Sequence, residues 1–126
     1  MPIHSSNLTT DERVSLGRIV LILEEFRKIY ADIPVSVALS LLHIAMEPGI
    51  SVAEMGRKGG LKQAASSRHK TVLGPENAVR EAAGLGKSYG LIDVDYDPLN
   101  QRTKGLRLTP KGERVIRTLL DLINRT

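Results

Sequence analysis

The sequence predicts an α+β fold that is mainly helical and carries one small β-hairpin. Three observations support this class. Thr9 has the spacing of a helix cap before a long apolar-rich run, which is typical of a first helix. Apolar and polar residues alternate from Ile92 to Asp97, which is the period of a strand. Thr109 followed by Pro110 then predicts the start of a final helix.

The first predicted helix is long and unusually apolar. Thr9 and Glu12 form a capping-box spacing, and the apolar-rich run from Val14 to Tyr30 predicts about 20 helical residues. Its apolar side chains are wider than one stripe. A helix of this kind must be buried on more than one side, so we expect it to contact its own domain and a second subunit.

A second helix and then two short helices are predicted after the first helix. Pro34 opens a helix that runs to Met46, where a Pro-Gly pair ends it. Ser51 and Glu54 predict a second capping box for the short helix "VAEMGRK", and a Gly-Gly pair precedes the next helical segment, "LKQAASSRHKTVL". Two short helices joined by a tight glycine-containing turn are typical of a helix-turn-helix.

Residues 74–126 predict a loop, a hairpin and the last helix. Residues 74–90 carry four glycines, which favour an extended, loop-rich connection with at most a helical turn or two. The alternating segments around Val94 and around Leu106 predict the two arms of a hairpin, with its tip at 97–104. The final helix has a broad apolar face made of Val115, Ile116, Leu119, Leu120, Leu122 and Ile123.

Charge and composition narrow the function classes. Residues 1–50 carry a net charge of −2 and residues 51–126 a net charge of +6, so the second part would bind a polyanion. Residues 57–70 hold five basic side chains and no acid. Aromatic residues make up 3%, which argues against base stacking on single strands. Without cysteine, a secretory signal or an apolar run of about 18 residues, we expect a cytoplasmic protein outside the membrane.

The order helix, helix, helix-turn-helix, hairpin, helix is that of a winged helix. Over about residues 33 to 115 the chain resembles the multiple-antibiotic-resistance-regulator (MarR) type of bacterial transcription regulators. The stretch "SVAEMGRKGGLKQAASSRH" is similar to that family's helix-turn-helix, and "GLIDVDYDPLNQRTKGLRLTPKG" is similar to its wing. The chain departs from the pattern in three places. Asn100 and Gln101 stand where an acid is usual, and residues 74–90 form an insertion like that of some phage-borne members. Ser66 and Lys70 occupy positions that are commonly apolar, which leaves the rotation of the recognition helix open.

The resemblance implies one winged-helix domain over 1–126. In it, 1–32 and 110–126 would form a helical dimerisation region, and 33–109 a DNA-binding core with the wing at 91–109. The partners implied are double-stranded DNA, a second copy of the chain and a small-molecule effector. The implied function is a sequence-specific regulator, a repressor, that acts as a homodimer. The alternative is a winged-helix protein-interaction module of a phage or plasmid that docks on host machinery.

The candidate contacts fall into three groups. Short, amide and basic side chains near the start of a recognition helix suit base edges in the major groove, which is roughly 12 Å wide; these are Lys62, Gln63, Ser66, Ser67, Arg68 and Lys70. The wing residues Arg102 and Lys104 would enter the adjacent minor groove. Phosphate contacts are expected from Arg57, Lys58, Arg107 and Lys111.

Each group has a structural alternative. A basic segment such as 57–70 is in many proteins only a solvated helix face. The alternative for Arg102 is an exposed turn arginine. The alternative for Ser66 and Ser67 is a packing face of small residues. His4, His43 and His69 lie on three separate segments, so neither a metal site nor a cofactor is expected. Ser67 and His69 point in different directions on a helix and make no nucleophile-base pair, so we expect no enzyme.

Overall fold

Six helices and one hairpin form within the described part of the chain. The computed structural model describes residues 7–76, 78–84, 86–96, 99 and 103–125. The elements, in chain order, are α1 (Thr10–Arg27), α2 (Val35–Met46), α3 (Val52–Gly59), α4 (Gln63–Leu73), α5 (Ala78–Ala82), β1 (Ile92–Tyr96), β2 (Thr103–Leu108) and α6 (Pro110–Asn124). This order confirms the mainly helical α+β class and the predicted sequence of elements.

The helix starts follow the predicted capping residues. The Thr9 Oγ1 atom accepts a hydrogen bond from the Glu12 amide at 3.1 Å, and the Thr9 amide donates to the Glu12 carboxylate at 2.8 Å, so the first capping box is complete. At α3 the Ser51 hydroxyl accepts from the Glu54 amide at 3.0 Å. The Glu54 carboxylate, however, accepts from Arg57, so the predicted second capping box is only half formed.

The hairpin is attached to the turn between α2 and α3. β1 and β2 pair antiparallel, with Val94 opposite Leu106. On its other side Leu106 forms a bridge with Ile50: the Gly49 amide donates to the Leu106 carbonyl and the Leu106 amide donates to the Ile50 carbonyl, both at 2.8 Å. The sequence did not predict this bridge, which fixes the base of the wing to the helical part of the domain.

Two glycines are required by close backbone approaches. A Cβ atom added to Gly105 would lie 2.5 Å from the carbonyl carbon of Gly49, and closer still to its oxygen. A Cβ atom added to Gly112, near the start of α6, would lie 3.0 Å from the carbonyl carbon of Leu91. The "TPKG" segment thus combines a cap with a close contact: the Thr109 hydroxyl accepts from the Gly112 amide at 3.1 Å and donates to the Gly90 carbonyl at 2.6 Å.

The core lies between α2, α3, the end of α4, the base of the hairpin and α6. Its fully buried side chains are Leu41, Ile44, Met55, Leu73, Leu91, Ile92 and Leu106. On α1 only Phe26 is classed as buried. Six large apolar side chains of that helix are about half exposed, namely Val14, Leu16, Ile19, Val20, Leu21 and Leu23. No helix in the described ranges is sufficiently long and apolar to span a bilayer.

The segment between α4 and β1 makes backbone hydrogen bonds with the end of α4. It contains the short helix α5 and glycines with positive φ angles, such as Gly84 and Gly86, which confirms the loop-rich connection. The Tyr89 amide donates to the Val72 carbonyl at 2.9 Å. The Tyr89 ring stacks on Tyr30 with a centroid distance of 4.7 Å. The segment therefore links the end of α4 to the region just after α1.

Candidate nucleic-acid interface

The helix-turn-helix forms as predicted because the turn is glycine-based. Gly60 ends α3 with a φ of 67°, a left-handed conformation that glycine adopts without steric cost. The Leu61 amide then donates to the Gly56 carbonyl at 2.7 Å, which closes the turn. Lys62 is the N-cap of α4, so its side chain and the first turn of α4 come directly after this turn.

Ser66 does not belong to the exposed surface, which corrects its assignment as a DNA contact. It is 2% exposed, and its hydroxyl donates to the Lys62 carbonyl at 3.2 Å. A Cβ atom added to Gly56 would lie 3.1 Å from the Ser66 Cβ atom, so α3 and α4 meet at this pair. The small-residue packing alternative holds for Ser66 because a larger side chain would force the two helices apart.

The other predicted residues of α4 and its N-cap remain accessible, and together they are here called the outer face. Gln63, Ser67 and Arg68 are exposed, as is Lys62 at the N-cap, while Lys70 is half-buried. An open cleft of about 750 Å³ runs between α3 and α4. It is lined by Ser51, Val52, Ala53, Arg57, Leu61, Gln63, Ser66, Ser67 and Lys70.

The cations of the outer face have no carboxylate partner within the described residues. Lys62, Arg68 and Lys70 make none of the ion pairs that the described part of the chain contains. No acidic residue lies between residues 57 and 70 either. The outer face is therefore a region of uncompensated positive charge, which favours contact with a polyanion.

The two basic residues of α3 are compensated instead. Arg57 binds the Glu54 carboxylate through two nitrogens at 2.9 and 2.6 Å. Lys58 binds Glu47 at 3.2 Å. The hydrogen bond from Arg57 lowers the pKa of the Glu54 carboxyl below its usual value. A count of charges over residues 57–70 missed these acids because they lie upstream, one turn of α3 away and at the end of α2.

The two predicted phosphate-binding residues outside α3, Arg107 and Lys111, also form ion pairs with carboxylates. Arg107 on β2 forms an ion pair with Asp95 across the hairpin. Lys111 lies 3.6 Å from Glu76 and lines a separate cleft of about 160 Å³ beside α1. The structure thus places Arg107 at the base of the wing and does not bring Lys111 together with the outer face.

The side chains predicted to make the wing-tip contacts lie outside the described part of the structure. Arg102 is not among the described residues, and of Lys104 only the backbone, within β2, is described. The arms that carry the tip are formed as predicted, with a register shift between Asp95 and Tyr96. The described part of the wing therefore confirms the hairpin and leaves the role of Arg102 and Lys104 as a prediction.

One contact of α4 had no predicted role. His69 is 8% exposed, and its Nδ1 atom lies 2.8 Å from the Ser40 Oγ atom of α2. Burial, and secondarily the charge of Arg68, lower the pKa of His69. Helical spacing offered a partial signal, because residues 66, 69 and 73 fall on one side of a helix, but serine and histidine gave no apolar stripe to identify that side as buried.

The chain has the fold of known transcription regulators. It superposes on the RV1404 protein of Mycobacterium tuberculosis with a TM-score of 0.57 at 17% identity, over 95% of this chain and 77% of that one. A MarR-like transcriptional regulator from Thermotoga maritima gives a TM-score of 0.53 at 15% identity, over 95% and 77%. For BpsR from Bordetella bronchiseptica, whose DNA binding is regulated by 6-hydroxynicotinic acid, the TM-score is 0.50 at 13% identity, over 93% and 80%.

At the level of sequence alone the chain stands apart. No protein-family model matches it, and no curated protein is significantly similar to it. This chain therefore has the winged-helix fold of the MarR-type transcription regulators.

Proposed function

We propose that this chain is a sequence-specific, double-stranded DNA-binding transcription regulator that represses its targets as a homodimer. The observation that carries the proposal is the outer face of α4, where Lys62, Gln63, Ser67 and Arg68 are exposed on the second helix of a helix-turn-helix. Its cations lack acidic partners among the described residues, so they are available for phosphate and base contacts.

The side chains divide naturally between base and phosphate contacts. Gln63 suits a bidentate pair with adenine, and Lys62 or Arg68 suits guanine or a phosphate. Arg102 would extend the contact into the minor groove beside the recognition helix. Arg57 and Lys58 would have to exchange Glu54 and Glu47 for phosphates, so we assign them a secondary role.

The homodimer is supported by the exposed apolar side of α1. Val20 is 57% exposed and Ile19 51% exposed, and on α6 Ile123 is 54% exposed. These two helices pack against each other, so their exposed apolar residues form neighbouring surfaces. A second subunit would bury them, and a two-fold dimer would place two recognition helices on half-sites about one helical turn apart.

A small aromatic acid is the proposed class of effector. Support comes from the cleft beside α1, where Lys28 and Lys111, which are paired with Glu25 and Glu76, adjoin the Tyr89 side chain and an apolar floor that includes Ile29 and Leu91. A ligand carboxylate would have to replace Glu25 or Glu76 at these lysines, and the apolar floor can contact a ring. Titration with 6-hydroxynicotinic acid as the probe should raise the melting temperature of the free chain and weaken its DNA complex; neither change would appear if the cleft binds no such acid.

The central experiment is selection of bound fragments from a random duplex library, followed by gel shift at several salt concentrations. We expect a pseudo-palindromic site and an affinity that falls steeply with salt, with a slope of about −0.9 per phosphate contact. Arg102→Ala should weaken binding to all duplexes, whereas Gln63→Ala should relax the preference at one base pair, by roughly 1–3 kcal/mol. Arg114→Ala, which removes the same charge from the exposed side of α6, is the matched control and should have little effect.

Three results would contradict the proposal. A library that yields no enriched duplex would refute DNA recognition and favour the protein-interaction alternative. Equal losses in Arg102→Ala and Arg114→Ala would show that only net charge matters. For the dimer, sedimentation should give two subunits at micromolar concentration and one for Val20→Glu, with Ser15→Glu, another exposed α1 position, as control; a monomeric wild type would refute that part.

A further inference from the structure

The inner side of α4 is unusually polar for a packed helix. Its buried side chains are Ser66, His69 and Leu73, spaced so that they lie on one side. Only Leu73, in the last turn, contributes a large apolar group to the core. The first two turns, which carry most of the outer face, are therefore attached to the domain through Ser66 and His69 rather than through apolar burial.

His69 makes the one buried side-chain hydrogen bond between α4 and α2 within the described residues. Its Nδ1 atom and the Ser40 Oγ atom are 2.8 Å apart, and Ser40 is 1% exposed. The Ser40 hydroxyl is also 3.1 Å from the Ser36 carbonyl. When that carbonyl accepts the hydroxyl proton, Ser40 accepts from the Nδ1 proton of His69. A second proton would enter the ring at Nε2 and leave this bond in place, so acid would act on the anchor through the burial of a charged ring that is 8% exposed and not through loss of the bond.

The charged groups around His69 oppose a second proton on its ring. Arg68 on α4 is the cation whose field acts on the imidazole. On α2 the titratable side chain is His43, and it is partly exposed. On α3 the charges of Glu54, Arg57 and Lys58 are taken up in ion pairs at the surface. No carboxylate of these elements is therefore paired with His69.

We propose that His69, through Ser40, is a positioning residue that holds the recognition helix against α2, and that its protonation on acidification loosens this helix and weakens DNA binding. The DNA part of this inference depends on the function proposed above. The anchoring part concerns the free chain and can be tested without DNA.

The direction of the pH effect follows from burial. The ordinary pKa of histidine is 6.5, and burial, followed by the charge of Arg68, lowers the pKa of His69. Between these two values a loosened helix with a solvated His69 binds a proton and the anchored helix does not, so the anchored state is disfavoured as the pH falls. The change can reach about tenfold per pH unit within that window, which corresponds to about 1.4 kcal/mol.

This direction is opposite to the ordinary effect of acid on a DNA-binding protein. Protonated histidines add positive charge and normally strengthen binding to phosphates. Weaker binding at lower pH therefore points to a structural role for His69 and not to a change in net charge.

The test is amide hydrogen exchange of the full chain at pH 7.5 and 5.5, expressed as protection factors to remove the intrinsic pH dependence. His69→Asn places an amide near the Nδ1 position, so it can keep the bond to Ser40 without titrating. Ser40→Ala removes the partner, and His43→Asn is the matched control on α2. Gel shifts of the same variants with the selected duplex complete the set.

We expect acid to reduce protection of residues 66–73 in the wild type and in His43→Asn, relative to α6, and to leave His69→Asn unchanged. Ser40→Ala should lower protection of the same amides by about twofold to tenfold already at pH 7.5, the range for one hydrogen bond. Equal acid responses in wild type and His69→Asn, or unchanged protection in Ser40→Ala, would overturn the proposal. If the exchange results hold but no duplex is bound at pH 7.5, the anchor stands and the DNA-binding function fails.

Discussion

The attachment of the wing to the α2–α3 turn can be tested at Gly105. Its neighbour Leu106 exchanges two backbone hydrogen bonds with Gly49 and Ile50, both of 2.8 Å. The backbone of Gly49 approaches the Cα atom of Gly105 so closely that an alanine Cβ would lie 2.5 Å from the Gly49 carbonyl carbon and 2.9 Å from its Cα atom. Gly105→Ala should therefore push the wing away from the turn.

The expected cost follows from these distances. Two carbon atoms need about 3.5 Å, so the backbones must separate by about 1 Å, which lengthens both hydrogen bonds beyond the bonding range. Losing two such bonds costs about 0.5–1.5 kcal/mol each, and Ile50 and Leu106, which are 4% and 0% exposed, lose part of their burial. The total is about 2–4 kcal/mol. With an unfolding entropy of about 0.26 kcal/mol/K for this length, the melting temperature should fall by about 8–15 °C.

Thermal unfolding followed by circular dichroism measures this change, with all samples at one protein concentration because a dimer would make the transition concentration-dependent. Gly17→Ala is the control: Gly17 lies within α1, and a Cβ atom there meets no atom within 4 Å. That variant should be as stable as the wild type or more stable by up to about 1 kcal/mol, because alanine favours helix over glycine. A Gly105→Ala variant within about 0.5 kcal/mol of the wild type would refute the close approach.

Three further substitutions test the helix ends and contacts. Thr109→Ala should lower the free energy of unfolding by about 1–2 kcal/mol in a urea titration, because it removes the cap of α6 and the hydrogen bond to the Gly90 carbonyl. Thr109→Ser should retain most of the stability. Gly56→Ala should destabilise the chain, and less so in a Ser66→Ala background; additive losses in this cycle would contradict the contact. The hydrogen bond from Arg57 lowers the pKa of Glu54 from 4.5, so its contribution is present above that pH and is lost as the pH falls through the lowered pKa. Glu54→Gln should flatten the fall of stability as the pH drops below 4.5, and an unchanged acid slope would show that this pair contributes nothing.

Much of the fold was predictable because its signals are local. The caps at Thr9, Ser51 and Thr109, the glycine turn at Gly60 and the alternation in β1 each act within a few residues, and the structure confirms all of them. The bridge between Ile50 and Leu106 was not predictable in this way. It joins residues far apart in the chain, and no periodicity in either segment indicates the partner.

The candidate site was harder to predict because it depends on the rotation of α4. With a single large buried apolar residue in Leu73, the helix gives a weak periodic signal, and Ser66 was therefore taken for a surface residue. Ion partners were missed for a similar reason: Glu47 and Asp95 meet Lys58 and Arg107 only through tertiary contacts. Asp95 could have been found by extending the hairpin register to the next diagonal position.

The division of α4 into an outer and an inner side has a consequence for protein engineering. Under the proposed function, grafting a new specificity onto this scaffold would begin with Lys62, Gln63, Ser67 and Arg68, because these side chains are exposed. Ser66 and His69 would have to be kept through every round of a library, since they fit Gly56 and Ser40 on the neighbouring helices. Because the sequence contains no cysteine, a single cysteine introduced on the outer face would also accept one label at that surface.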